Sequence, residues 1–224
     1  MKSYFTKRNI YEIIAGLILA VVLIEVMVSQ TFFQALSQGI RIILSTSLQA
    51  GLWLLVLKVS LGERFSWELL GLSSTSRRWV GMALLLTVLA LLRIAVLAPL
   101  ALLPFFQIGI EALQKVFTFA TPLEYVLFGI SVVVIAPVIE EIVFRGFFYR
   151  VLRSRQGMWV SIITSALIFG VIHIFPLYAL NAFLLAIPLA YLYEKSNSLV
   201  PGVILHVFNN AIFFAVMAIG SLVI

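Results

Sequence analysis

The sequence predicts an all-α fold, a polytopic transmembrane helical bundle of about seven spans. Three observations predict it. The first is composition: 63% of the 224 residues are hydrophobic and the mean hydropathy is +1.16. Soluble domains run nearer half apolar, and no soluble fold of this size buries so much apolar surface. The second is pattern. The apolar runs are long and continuous rather than alternating, which selects helices over a closed barrel, the only other fold that satisfies its backbone in lipid. The third is that the basic residues fall between the apolar runs, as membrane topology imposes.

Judged against the ~20 residues needed to cross a bilayer, the spans are expected at 10–30, 37–59, 79–103, 122–149, 158–176, 178–194 and 199–222. Lys2, Lys7 and Arg8 precede the first apolar run, as in a signal peptide. No small-x-small cleavage site follows and further spans do, so the run reads as a retained first helix. The fifth and sixth spans are joined by a short turn around Pro176, and the sixth is expected to be the shortest. Residues 63–72 mix charges with Phe65 and Trp67 and read as a helix lying on the membrane surface. Residues 104–120, with Glu111 and Lys115, read as an outer amphipathic segment. The whole chain, 1–224, reads as one integral membrane domain, with a core from about 121 to 224 and peripheral spans in 1–120.

Loop charges orient the bundle. With the N-terminus in the cytoplasm, the inner segments hold Lys2, Lys7, Arg8, Lys58, Arg64, Arg77, Arg78, Arg150, Arg153, Arg155 and Lys195. The outer segments hold only Lys115, and Arg41, Arg93 and Arg145 fall within spans. This asymmetry predicts a multi-pass cell-membrane protein with its N-terminus inside and its C-terminus outside. The net charge of +6 therefore reflects topology, and nucleic acid is not an expected partner. The absence of cysteine excludes disulfides, a thiol nucleophile and thiolate metal ligands.

Ionisable groups inside a membrane are costly, so they are the first functional candidates. Glu140, Glu141 and Arg145 lie in the fourth span. The only two histidines, His173 and His206, lie in the fifth and seventh. Glu141 and Arg145 are four residues apart and share a helix face, as do Phe169 and His173, and His206 and Asn210. Glu140 projects about 100° away from Glu141. Glu140 and His173 are nearly equidistant from the turn at Gln156 and Gly157, so a hairpin folded there brings them level. At 1.5 Å per residue Glu140 lies roughly 13 Å and His206 roughly 10 Å below the cytoplasmic boundary. The expected site is a cavity open toward the cytoplasm. Arg41 is expected to snorkel from its span, and Arg93, which is deeper, to pair with a carboxylate of another helix.

Glu-Glu-x-x-x-Arg at 140–145, Phe-x-x-x-His at 169–173 and His-x-x-x-Asn at 206–210 follow one another on successive core helices. In that order they resemble the three motifs of the CPBP family, the CAAX prenyl endopeptidases and bacteriocin-processing (Abi) proteins. Each motif alone is weak, and the combination is specific. The resemblance covers the C-terminal half, from about Thr121. It implies intramembrane peptide-bond hydrolysis. Glu140 would be the general base with His173 as its partner, His206 and Asn210 the oxyanion site, and Glu141, Arg145 and Phe169 supporting residues. The implied partners are a peptide or protein substrate, lipid-modified or not, and membrane lipids.

The residue types suit that chemistry, since amide hydrolysis needs a base for water and donors for a developing oxyanion. No cofactor is expected, because His206 and Asn210 read as a donor pair. Zinc held by Glu140, His173 and His206 is the alternative, with three protein ligands and a catalytic water. Two further classes stand beside these. A non-catalytic immunity factor or scaffold would tolerate loss of Glu140. A small transporter would string polar groups across the full membrane depth, whereas here they cluster on one half.

Overall fold

The computed structural model describes residues 5–107, 119 and 121–223, with side chains to 218. Among the described residues seven principal helices follow one another: α1 (Lys7–Val28), α2 (Gln38–Leu61), α3 (Arg77–Leu97), α4 (Pro122–Arg153), α5 (Met158–Val171), α6 (Pro176–Ser196) and α7 (Val200–Val223). Their boundaries follow local chemistry. Thr6 caps α1 in a reciprocal capping box with Asn9. Thr121 caps α4 ahead of Pro122, whose missing N–H costs nothing in a first helical turn. Asn197, with φ of 53°, ends α6 in the left-handed conformation that asparagine tolerates.

Six of these helices are long and apolar enough to cross a membrane. The protein is a multi-pass membrane protein. Its outward faces carry Ile18, Val22, Val88 and Leu92, a surface that lipid covers. The exception is α5. It has 14 residues and rises roughly 21 Å, short of a ~30 Å hydrocarbon core. The expected shortest span was the sixth. Pro176 instead opens α6 as its first residue, so that helix gains its N-terminal turn and reaches 21 residues. His173 consequently lies just past the end of α5, in the turn to α6, where Ile174 has φ of 58°.

α5 and α6 form a tight antiparallel hairpin against α4, and α7 packs on α4 and α6. α1 packs on α2, α2 on α4, and α3 on α6 and α7. At one end of the bundle Glu194 of α6 accepts hydrogen bonds from Tyr149 (2.8 Å) and Arg153 (3.0 Å) of α4.

The expected surface helix at 63–72 is not formed. After one 3-10 turn (Gly62–Arg64) the chain folds as a loop that drives Leu70 into the core, fully buried. Two glycines make this possible. Gly71 turns the loop at φ of 94°, and Gly146 of α4 lets the Leu70 carbonyl approach so closely that a Cβ there would lie 2.5 Å from it. Of the expected outer segment at 104–120, Glu111 and Lys115 lie outside the described residues.

α4 is not a uniform α-helix. Ile130–Ile135 and Ile142–Tyr149 are π-helical and flank the α-helical stretch Ala136–Glu141. Wide turns of this kind often accompany functional sites.

Candidate active site

Glu140 and Glu141 come from the α-helical stretch between the two π segments and point to different surroundings. The Glu141 side chain is fully buried. Its Oε1 accepts from Arg145 Nη1 at 2.9 Å and from His206 Nδ1 at 2.9 Å. Arg145 is itself buried. It donates from Nη2 to the Ala186 carbonyl of α6 at 3.3 Å, and its guanidinium lies 4.8 Å from the centre of the Phe169 ring. A buried guanidinium is tolerable only with such compensation. Phe169 is therefore more than filler: its ring faces Arg145 and packs edge-on against Phe144 and His206.

The bond to Glu141 fixes the role of each nitrogen of His206. A carboxylate that already holds Arg145 accepts hydrogens, so Nδ1 is the donor and Nε2 is left for the cavity. Nε2 lies 3.6 Å from Glu140 Oε2, in ionic contact but beyond a direct hydrogen bond. His173 is fixed in the same sense by a different group. Its Nδ1 lies 2.7 Å from the Phe169 carbonyl, which can only accept, so Nε2 carries the lone pair.

Asn210 is held by a deficit in α4. In the first π segment the Ala136 N–H bonds to Ser131 O, five residues back. In that register Val132 O would need an N–H from residue 137, which is Pro137 and has none. Asn210 Nδ2 donates to Val132 O at 2.9 Å and fills the vacancy.

Glu140, His173, His206 and Asn210 all line one cavity of about 190 Å³, together with Phe169, Asn181 and Asn209. The Glu140 side chain keeps 21% of its surface exposed, whereas that of Glu141 keeps none. Only the first is reachable by water. The geometry can thus present a carboxylate, two imidazole nitrogens and the Asn210 amide to a bound carbonyl.

Residues 122–212 match the family model described as type II CAAX prenyl endopeptidase, Rce1-like. The match covers less than half of the chain, and within it the sequence is similar to that family. All three motifs lie within the matched residues, and the family is one of CAAX-type membrane peptidases. Comparison with curated proteins and with solved structures gives no match. The matched segment contains α4, α5, α6 and the first half of α7, hence every motif residue named above. Among the described residues no group of three His, Cys, Asp or Glu is already placed to hold a metal ion.

One residue at the site was misjudged from sequence. Arg93 of α3 was expected to meet a carboxylate. It donates instead to the Asn209 side chain and, at 3.1 Å, to the Asn181 carbonyl. Asn209 in turn contacts Asn210. A cation deep in an apolar span was the visible signal, and its partner, 116 residues away, was not.

Proposed function

We propose that this protein is an intramembrane endopeptidase in which Glu140 and His173 activate water while His206 and Asn210 stabilise the oxyanion. The single observation that carries the reading is the convergence of these four side chains on one cavity, with the inner nitrogen of each histidine already committed to a protein acceptor.

In the reaction, water in the cavity donates one hydrogen to Glu140 and the other to His173 Nε2. Glu140 takes the proton as the water oxygen adds to the carbonyl carbon of the scissile bond. The carbonyl oxygen becomes an oxyanion. It accepts from the second N–H of Asn210 and from Nε2–H of His206 in its doubly protonated form, whose charge the oxyanion balances, since Glu141 is already paired with Arg145. Glu140 then returns the proton to the leaving nitrogen as the C–N bond breaks, releasing an acid and an amine. A positioned base contributes typically ~10²–10⁴ in rate and one oxyanion donor ~10²–10³. No step is routed through a metal. The substrate class is a peptide or protein segment at the membrane, and the family description makes a prenylated C-terminal peptide the first to test.

The test is purified protein against a peptide library, wild type beside Glu140→Ala. Cleavage by the wild type that the variant lacks is expected. Equal cleavage by both, or none by the wild type, overturns the peptidase reading in favour of a non-catalytic role.

A further inference from the structure

We infer that Arg93, on a helix outside the family-matched segment, is a positioning residue for Asn210 and, together with the Val132 carbonyl, holds the direction in which its amide points. The inference rests on the reading of Asn210 as an oxyanion donor.

An asparagine amide has an accepting end and a donating end, and Asn210 serves the reaction only with its NH₂ toward the cavity. Three contacts fix this orientation in sequence. Arg93 has no acceptor atom, so its contact from Nη2 obliges Asn209 to present Oδ1. Asn209 then has its NH₂ on the other side, and Nδ2 donates to Asn210 Oδ1 at 3.0 Å. Asn210 is left with its NH₂ toward the Val132 carbonyl and the cavity. If Asn209 were reversed, its NH₂ would face the NH₂ of Arg93, and Asn210 would meet an oxygen rather than a donor.

Burial enforces the relay. Asn209 is 2% exposed, so water cannot take the place of a lost partner. Arg93 is anchored on its other arm by the Asn181 carbonyl of α6. A carboxylate in place of Asn209 would satisfy the arginine equally well but could not donate to Asn210, so the amide at 209 is needed for its two-ended polarity.

That last point supplies the test. Asn209→Asp preserves the partner of Arg93 and breaks only the second link. It should keep the wild-type thermal midpoint or raise it. Both Asn209→Asp and Arg93→Gln should lower kcat about 10-fold or more with KM changed by no more than about threefold, the pattern of a lost transition-state contact. Arg93→Lys, which like arginine can only donate and so still dictates the end that Asn209 presents, should recover most of the loss. In an Asn210→Ala background none of these substitutions should cost anything further. Full kcat in Asn209→Asp, or an equal further loss in the Asn210→Ala background, overturns the relay. Side-chain amide NMR of asparagine-labelled protein judges it without activity. The Asn210 NH₂ resonances, assigned by their loss in Asn210→Ala, should move in Asn209→Asp and Arg93→Gln, and unmoved resonances overturn the relay. Wild-type turnover in Asn210→Ala and Glu140→Gln would instead sink the peptidase reading, and the NMR result would still decide the relay.

Discussion

His206 and Glu141 are bonded through Nδ1 and Oε1 at 2.9 Å, across 65 residues of sequence. The same oxygen holds Arg145. One carboxylate therefore neutralises a buried cation and orients an imidazole, while its sequence neighbour, Glu140, remains on the cavity.

The two adjacent glutamates should fail in different ways. Glu140→Gln keeps the shape and removes the base, so turnover should fall by ~10²–10⁴ while the protein stays folded. Glu141→Gln strips Arg145 of its charge partner in a buried setting, where breaking a pair costs ~3–5 kcal/mol. It also loosens His206, so both stability and turnover should drop. Turnover and thermal midpoint of the two variants, measured in the same detergent, decide this. A stable but inactive Glu141→Gln beside an active Glu140→Gln would reverse the roles.

The close approach of the 63–72 loop to α4 should make Gly146 intolerant of any side chain. In Gly146→Ala the new methyl would sit 2.5 Å from the Leu70 carbonyl, a backbone atom that cannot swing aside. Overpacking of this kind costs ~1–3 kcal/mol. The thermal midpoint should fall, and an unchanged midpoint would show that the loop yields freely.

Chelation should leave cleavage intact, and active protein should carry no stoichiometric metal. Metal analysis of the purified, active protein is the measurement. One tightly bound zinc per chain would replace the base-and-oxyanion scheme by Lewis-acid hydrolysis.

The charge asymmetry of the loops predicts a cytoplasmic N-terminus and an outer C-terminus. Reporter fusions after Lys195 and after Ile224 should give opposite sidedness, since α7 lies between them. Matching sidedness would rule out this topology.

What could be read from sequence was what is local. The four-residue spacing of Glu141 and Arg145 announces their pairing, because one helical turn separates them. Phe169 and His173 share a face for the same reason, although the bond proved to run to the Phe169 backbone carbonyl rather than between rings alone. Helix ends and long-range partners were less visible. Pro176 marks a turn, but sequence does not say on which side of it the helix resumes, and α5 is shorter than its apolar run. Phe65 and Trp67 suggested a helix at the surface, whereas Gly62 and Gly71 break the segment into a loop that buries Leu70. The links from His206 to Glu141 and from Arg93 to Asn209 depend on how separate helices rotate against each other, and no spacing within one helix encodes that.

Pro137 serves α4 as an address. A proline in a helix is usually described by what it breaks. Here the N–H it lacks leaves one carbonyl of α4 without a helical claimant, at a fixed height and on a fixed side. Asn210 of α7 docks there. The two helices are thus keyed to each other by an omitted hydrogen, which specifies axial register more sharply than apolar packing, where neighbouring ridges are nearly interchangeable. Adding that hydrogen back would place a rival donor at the dock, and α7 would lose the landmark by which it finds its depth beside α4.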